Sequence, residues 1–200
     1  MFDADGVVIH SEMFSVQYQK EYDVSGDDMT PFFKGDFQDC MIGKADLIEV
    51  VSPRLAKWKR KGTVHEFLQF RFKSEHSVDE RMVANIKNLR KKGIRCYLAT
   101  NQEKYRAQYM KKDMGFEELF DTVFSSAEIR HKKPDKEFYK FVLHEIKKEY
   151  EIDPDEIMYF DDTQENVVEA KKLGIDAHLY QNIEEFERLV KRVVDDKVVS

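Results

Sequence analysis

Two pairs of carboxylates lie far apart in the sequence, and each pair directly follows a short apolar run. Asp3 and Asp5 belong to the segment FDADG, and Asp161 and Asp162 belong to YFDDTQEN. In a parallel α/β sheet the carboxyl ends of the strands open onto one edge, where ligands bind. Four carboxylates at one edge repel one another unless a hard cation lies among them. Mg²⁺ binds through one or two carboxylates together with phosphate and water, so the pattern predicts a magnesium site.

The second half of the chain alternates between strand and helix patterns. Buried strands are predicted at IRCYLAT, DTVFSS, EIMYFDD and IDAHLY. Helices are predicted at ANIKNLRKKG, KYRAQYMKKDMG, EFYKFVLHEIKKEY, ENVVEAKKLG and IEEFERLVKRVV, with Pro134 in the first turn of the third. Alternation at this spacing predicts an α/β fold in which a parallel sheet is covered by helices on both faces.

Residues 11–78 carry a different pattern, with no convincing strand. The segments MFSVQYQKEY, KADLIEVVSPRLAKW and VHEFLQFRFKSE have apolar residues at helical spacing. We therefore expect a helical domain at 11–78 that is inserted into a core domain formed by residues 1–10 and 79–200.

The predicted first strand is unusually short. Only Met1 and Phe2 precede Asp3, whereas strands of globular proteins usually have about five or six residues. We therefore expect the natural chain to begin upstream of Met1.

Composition narrows the class of protein. A chain of 200 residues suits one core domain with a modest insertion, and the net charge of -6 leaves no basic excess for nucleic acid. Cys40 and Cys96 are expected to be free buried thiols in a reducing compartment. Neither a membrane-spanning apolar run nor a signal-peptide pattern is apparent. These features favour a cytoplasmic protein without membrane or nucleic-acid partners, and we expect a monomer or weak homodimer.

The order of the polar motifs resembles that of the haloacid dehalogenase-like superfamily. FDADG comes first, Thr100 and Asn101 follow the strand YLA, Lys133 precedes Pro134, and the acidic pair follows IMYF. The surrounding sequence is similar to that of the phosphatase and β-phosphoglucomutase-like branch with a helical cap. The similar segments are GKADL, YLATNQ, FDTVFSSAEI, KKPDKEFY and FDDTQENVVEAKKLG. The resemblance implies a three-layer, Rossmann-like core with strand order 5-4-1-2-3 and a cap of four helices.

Chemistry and the resemblance together suggest roles for the leading residues. A carboxylate nucleophile divides phosphate-ester hydrolysis into two easier steps, and Asp3 is the candidate. Asp5 would protonate the leaving alkoxide and later deprotonate the attacking water, after a bend at Gly6. Lys133 would offset charge on the phosphoryl group.

The remaining site residues would bind the phosphoryl group or the metal. Thr100 and Asn101 would donate hydrogen bonds to the phosphoryl oxygens. By resemblance, Asp162 would complete the Mg²⁺ ligands with the Asp3 carboxylate and the Asp5 main-chain carbonyl. Asp161 would hold Lys133 or a metal-bound water, and Asn166 would orient the loop around Asp162; the full set of site residues is Asp3, Asp5, Thr100, Asn101, Lys133, Asp161, Asp162 and Asn166.

Each residue taken alone also has a purely structural interpretation. Thr100 could cap the next helix, and Lys133 could belong to a solvated basic cluster. Arg106 is expected to form a surface ion pair rather than to contact substrate. Arg71, in the aromatic segment HEFLQFRF, is expected mainly to pack within a helix.

The leading functional hypothesis is a Mg²⁺-dependent phosphatase that acts on a small phosphorylated metabolite through an aspartyl-phosphate. A phosphomutase would use the same residues, and a phosphonatase would need a cap lysine such as Lys44, Lys57 or Lys59. A 2-haloacid dehalogenase would lack an acid at position 5. Signalling receiver domains order their acidic residues differently and have no cap, and a non-enzymatic phosphate-binding module would not need every reacting group.

Overall fold

The computed structural model describes residues 1–198, and side chains as far as Lys191. Four short strands form the centre: β1 Tyr97–Thr100, β2 Thr122–Ser125, β3 Met158–Asp161 and β4 Asp176–Leu179. Twelve α-helices surround them: α1 Phe14–Tyr22, α2 Gly26–Lys34, α3 Asp36–Met41, α4 Leu47–Val51, α5 Val64–Ser74, α6 Glu80–Lys91, α7 Lys104–Lys112, α8 Phe116–Leu119, α9 Ser126–Ile129, α10 Lys136–Tyr150, α11 Gln164–Lys172 and α12 Ile183–Val198. The α/β fold predicted from the alternating pattern is confirmed.

Phe2 joins the two halves of the sheet. β1 pairs in parallel with β2, and β3 pairs in parallel with β4. Phe2 makes parallel bridges to Leu98 of β1 and to Phe160 of β3, so that the pairings run in the order β4, β3, Phe2, β1, β2. The Phe2 amide donates to the Tyr97 carbonyl at 2.8 Å, and the Asp3 amide donates to the Phe160 carbonyl at 2.8 Å. Within the first predicted strand, Phe2 is therefore the residue that pairs with both neighbouring strands. Asp3 directly follows it, at the edge of the sheet.

Side chains alternate across the sheet and form two apolar layers. Leu98 and Phe160 pack on one face with residues of α6, α8 and α12, whereas Ala99 and Tyr159 pack on the other face with residues of α10 and α11. Successive strand residues point to opposite faces, so a run that is apolar throughout is buried on both sides. The result is a three-layer arrangement whose strand ends share one edge.

A third apolar cluster lies mainly in the helical segment from α1 to α5 and also includes Tyr109 of α7. It is rich in aromatic side chains, including Phe14, Tyr18 and Trp58, and Tyr18 donates through its hydroxyl to the Trp58 carbonyl at 2.9 Å. Five α-helices and a short 3-10 turn occupy this segment, whereas the resemblance implied four helices. α2 was not indicated by the sequence pattern because it contains Pro31 and begins at a glycine.

Helix α10 begins later than predicted. Pro134 was expected in its first turn, but the helix begins at Lys136, and Asp135 caps it by accepting from the Glu137 amide at 3.0 Å. Aspartate is among the preferred N-cap residues, so the helix begins directly after Asp135 rather than at Pro134. In the described part of the chain, no helix has both the length and the apolar character needed to cross a bilayer.

Asp121 connects the starts of β1 and β2. Its carboxylate accepts from the Cys96 amide at 2.8 Å and from Arg95 and Arg90 at 3.0 and 3.3 Å. Burial acts to raise the pKa of Asp121, but the Cys96 amide and the two guanidinium groups outweigh it and hold the pKa below its ordinary value. The ionised carboxylate therefore stabilises the folded chain.

Replacing Asp121 with asparagine should lower the free energy of unfolding by about 1–3 kcal/mol at pH 7, because charge-assisted hydrogen bonds are lost. A pKa depressed in the folded state gives stability that is fully present above the unfolded value of about 3.9 and is lost as pH falls through the folded value. The difference between Asp121→Asn and wild type should thus stay constant from pH 7 to about 5 and shrink below about 4. Urea unfolding at each pH measures it.

Asp113→Asn is the matched control, because Asp113 is exposed at the end of α7. It should change stability little at any pH. A gap between Asp121→Asn and wild type that persists undiminished at low pH would contradict the assignment.

Candidate active site

The Lys133 ammonium lies at the centre of a buried polar cluster. Its Nζ is 2.8 Å from Oδ1 of Asp3, 2.7 Å from Oδ2 of Asp161 and 3.0 Å from the Tyr159 hydroxyl. Only 3% of Lys133 is exposed. Three oxygen atoms thus match the three protons of the ammonium group. Burial acts to lower the pKa of Lys133, but the Asp3 and Asp161 carboxylates more than compensate and raise it.

Asn101 fixes the main chain of Lys133. Its Oδ1 accepts from the Lys133 amide at 2.8 Å, and its Nδ2 donates to the Lys133 carbonyl at 2.9 Å. Asn101 directly follows β1, so this pair of hydrogen bonds ties the lysine loop to the strand edge. This contact uses Oδ1 and one of the two Nδ2 protons, so Asn101 positions Lys133, and the predicted donation from Asn101 to a phosphoryl oxygen stays a prediction.

The Asp161 carboxylate accepts hydrogen bonds from four donor groups. Besides Lys133, its carboxylate accepts from the Thr163 amide at 2.8 Å, from Nδ2 of Asn166 at 3.0 Å and from the Tyr159 hydroxyl. Burial acts to raise the pKa of Asp161, but Lys133 and the other donors lower it below its ordinary value. Asp161 is thus a fully buried anion that holds Lys133, and Asn166 holds Asp161.

Asp3 and Asp162 are less well compensated. Burial raises the pKa of Asp3 to about 8, although Lys133 opposes the shift. Partial burial and the neighbouring Asp161 raise the pKa of Asp162. Carboxylate oxygen atoms of Asp3, Asp161 and Asp162 lie within 4.8 Å of one another. Three carboxylates against one ammonium group leave a local excess of negative charge, and all the ligand atoms are hard oxygens, so the residues fit Mg²⁺.

A tight turn at Gly6 brings Asp162 against the first motif. Gly6 has a φ of +82°, and a Cβ atom there would overlap Oδ2 of Asp162. The Ala4 carbonyl accepts from the Ile9 amide at 2.8 Å, and the Gly6 amide donates to the Ile9 carbonyl at 2.8 Å. The predicted bend at Gly6 is therefore present, and only glycine fits both the conformation and the space.

Asp5 turns away from the three clustered carboxylates. One of its oxygens accepts from Nη2 of Arg106 at 2.8 Å, and the other accepts from Nε2 of Gln102 at 2.5 Å. The Asp5 side chain is 53% exposed, whereas that of Arg106 is 2% exposed. The expectation of a surface ion pair for Arg106 was wrong, since the guanidinium is buried between Asp5 and Glu75.

Thr100 lies at the end of β1, is buried, and does not cap α7. Glu103 caps that helix, because its carboxylate accepts from the Tyr105 amide at 2.7 Å and the Arg106 amide at 2.9 Å. The capping interpretation of Thr100 is therefore wrong.

Sequence reasoning did not identify Tyr159, Gln102 or Glu75 as parts of this cluster. Tyr159 could have been found, because it lies two residues before Asp161 on a strand and so shares its face. Gln102 and Glu75 carry no such local signal, since each meets Asp5 or Arg106 only after distant segments come together.

The sequence is similar to that of known proteins. A model of the haloacid dehalogenase-like hydrolase family matches residues 1–174. The sesquiterpene phosphatase astK of Aspergillus oryzae is 34% identical over 98 residues, which make up 48% of this chain and 47% of that protein. The drimenol cyclase drtB of Aspergillus calidoustus is 31% identical over 75 residues, 38% of this chain and 13% of that protein. The chain thus matches less than half the length of either relative.

Solved structures share the fold over almost the whole chain. A haloacid dehalogenase-like (HAD) family enzyme of Bacteroides thetaiotaomicron has a TM-score of 0.78 at 20% identity, covering 94% of this chain and 96% of that one. A HAD-like family hydrolase of Porphyromonas gingivalis has a TM-score of 0.77 at 21% identity, covering 96% and 95%. The Bacteroides enzyme in complex with magnesium and inorganic phosphate gives a TM-score of 0.75 at 18% identity, covering 92% and 96%.

A methyl group at position 6 should remove magnesium binding. Gly6→Ala places a Cβ atom where Asp162 lies, so the carboxylate must move out of the cluster. We expect Mg²⁺ to raise the melting temperature of the wild type and to leave that of Gly6→Ala unchanged, as measured by thermal unfolding with and without the metal.

Gly93→Ala provides the matched control. Gly93 has a φ of +80°, and a methyl group added there would have nothing within 4 Å, so it incurs the same backbone strain of roughly 1–2 kcal/mol without a clash. This variant should lose stability and keep the Mg²⁺ response. Equal Mg²⁺ responses in the two variants would count against the site.

Proposed function

Because the chain belongs to the haloacid dehalogenase-like hydrolase family, we propose that it is a Mg²⁺-dependent phosphatase that hydrolyses a small phosphorylated metabolite through an aspartyl-phosphate. The observation that carries the proposal is the contact of one ammonium group, Lys133, with Asp3 and Asp161 at the ends of adjacent chain segments. This arrangement presents a carboxylate nucleophile beside a fixed positive charge. A phosphoryl group that is attacked in this position needs both.

The Asp3 and Asp162 carboxylates and the Asp5 main-chain carbonyl would hold the Mg²⁺ ion. When bound, Mg²⁺ supplies positive charge that offsets the repulsion between an anionic nucleophile and an anionic phosphoryl group. Burial raises the pKa of Asp3, so added positive charge would also favour the ionised form that can attack.

Asp3 would form the covalent intermediate. Its carboxylate attacks phosphorus, and the bond from phosphorus to the ester oxygen of the substrate breaks. The Lys133 ammonium, held by Asp161 and Asn101, stabilises the negative charge on the transferring group, and the Thr100 hydroxyl donates to a phosphoryl oxygen. Water then attacks phosphorus and releases phosphate, which restores the Asp3 carboxylate.

Asp5 would transfer the protons. In the first step its carboxylic acid donates a proton to the departing alkoxide, and in the second step the resulting carboxylate accepts a proton from the attacking water. Its side chain is half exposed and lies outside the cluster of Asp3, Asp161 and Asp162 carboxylates, so it would remain free of the metal ligands.

The helical insertion would act as a cap that limits the size of the substrate. Among the contacts that join it to the core, Ser126 donates to the Met41 carbonyl at 2.6 Å, Tyr105 donates to Asp46 at 2.7 Å, and Lys132 donates to Gln38. A cap held this close favours a small ester over a protein substrate and excludes bulk water.

Features of the chain favour the phosphatase over two of the alternatives. Asp5 is present, whereas a 2-haloacid dehalogenase would lack an acid at that position. Lys44, Lys57 and Lys59 are all exposed, and Lys57 and Lys59 pair with Asp28 and Asp23, so none has the desolvated setting that activates a Schiff-base lysine. The similarity to astK, whose name is that of a phosphatase, also supports this assignment.

Activity should depend on Mg²⁺. We expect release of inorganic phosphate from an aryl phosphate, loss of that release in excess EDTA, and recovery when Mg²⁺ is restored. Ca²⁺ should restore little, since its looser coordination misplaces the nucleophile. Full phosphate release in EDTA, or conversion of a sugar phosphate to an isomer without release of phosphate, would sink the phosphatase proposal.

Asp3→Asn and Asp5→Asn should fail in different ways. Asp3→Asn removes the nucleophile, so no phosphoenzyme forms. Asp5→Asn keeps the nucleophile but loses the proton donor, so an alkyl ester should slow by about 10²–10⁴-fold while an aryl ester forms the phosphoenzyme with a smaller loss. Rapid-quench kinetics with both esters measure these steps. A phosphoenzyme in Asp3→Asn, or equal losses for both esters in Asp5→Asn, would show that the roles are misassigned.

A further inference from the structure

A chain of ion pairs runs from the junction between insertion and core to Asp5. We propose that Arg106 is a positioning residue that sets the orientation of the Asp5 carboxylate, and that Glu75 makes this orientation depend on the position of the cap. The inference rests on the proposed function, in which Asp5 transfers protons. The residues involved are Glu75, Arg106, Gln102 and Asp5.

Asp5 is held at both oxygens. Arg106 donates to Oδ1 at 2.8 Å, and Gln102 donates to Oδ2 at 2.5 Å. Without these donors a side chain that is half exposed would be free to change rotamer. A proton donor must lie about 2.6–3.2 Å from the atom it serves, and a displacement of about 1 Å can cost roughly 10²-fold in rate. Two donors on two oxygens fix the plane of the carboxylate as well as its position.

Arg106 is itself held in place. Its side chain is 2% exposed, and its main-chain amide donates to the Glu103 carboxylate at 2.9 Å in the first turn of α7. The guanidinium contacts Asp5 through Nη2 and Glu75 through Nη1. One rigid cation therefore joins a residue of the core site to a residue that follows the last helix of the insertion.

Glu75 lies where the two chain segments cross between insertion and core. Its Oε1 accepts from the amide of Phe14, the first residue of α1, at 3.3 Å. The next residue, His76, contacts the Tyr109 hydroxyl of α7 through Nδ1 at 2.9 Å. Glu75 thus touches the entry and exit segments of the insertion and, through Arg106, the group that holds Asp5. Movement of the cap about these segments would change the contacts of Arg106.

Arg106 would therefore act on catalysis only through Asp5. Loss of the guanidinium should slow the steps that need proton transfer and spare the attack of Asp3 on an ester with a good leaving group. A merely structural arginine would slow both kinds of ester alike, or would change only stability.

A double-mutant cycle between Arg106 and Asp5 tests this. We expect Arg106→Met to lower kcat for glycerol phosphate by about 10²-fold and phosphoenzyme formation from para-nitrophenyl phosphate much less. In the Asp5→Asn background the same Arg106→Met change should add no further loss for glycerol phosphate. Arg106→Lys, which keeps a donor, should recover part of kcat. Arg188→Met is the control, because Arg188 is an exposed arginine paired with Glu185 on α12.

Two further variants keep the test decisive if Arg106→Met does not fold. Gln102→Met removes the second donor to Asp5. Glu75→Gln removes the negative charge that pairs with Arg106 while retaining the shape of the side chain. Both variants should lower kcat for glycerol phosphate more than they lower phosphoenzyme formation from para-nitrophenyl phosphate. Equal losses with the two esters, or a full additional loss in the Asp5→Asn background, would overturn the inference. A wild-type protein that releases no phosphate from either ester would instead overturn the proposed function.

Discussion

The contact of one lysine with two buried carboxylates is the constraint on which the site depends. Lys133, Asp3 and Asp161 come from a loop, from the residue after the central pairing and from the end of β3. Removing one partner from a buried ion pair typically costs about 3–5 kcal/mol, because the other charge is left uncompensated. The three groups therefore require one another, and the elements that carry them must meet with little tolerance.

Several features of the fold serve this contact. Asn101 fixes the loop of Lys133 to the end of β1, and Asn166 and Tyr159 satisfy the remaining oxygens of Asp161. Gly6 turns the chain so that Asp162 can approach. The compensation is uneven: Asp161 receives its full set of donors, whereas Asp3 and Asp162 keep unbalanced charge. That imbalance separates the carboxylate that holds the structure from the two to which the proposed function assigns attack and cation binding.

The sequence predicted the parts of this arrangement that are encoded locally. Strand ends marked by polar residues, the bend at Gly6 and the alternation of strands with helices follow from short-range patterns. Of the residues named in advance, Lys133 contacts Asp3 and Asp161, and Asp162 lies beside them. Contacts between distant side chains outside the motifs that carry the family resemblance could not be predicted. The burial of Arg106 is the clearest case, since charged residues are seldom buried unless paired, and its partners Asp5 and Glu75 lie far from it in sequence. The extra helices of the insertion escaped prediction because Pro31 and the glycines near α2 and α3 are typical of loops.

The spread of the central contact along the chain has a consequence for biosynthesis. Asp3 is synthesised well before Asp161, which lies 158 residues further along the chain. At about 5–20 residues per second, the interval between them is on the order of ten seconds. During that interval the nascent chain carries Asp3 without the strand that Phe2 must pair with on one side, and for most of it without Lys133. A ribosome-bound or prematurely terminated fragment therefore lacks the assembled contact of Lys133 with Asp3 and Asp161, which forms only when synthesis has passed β3.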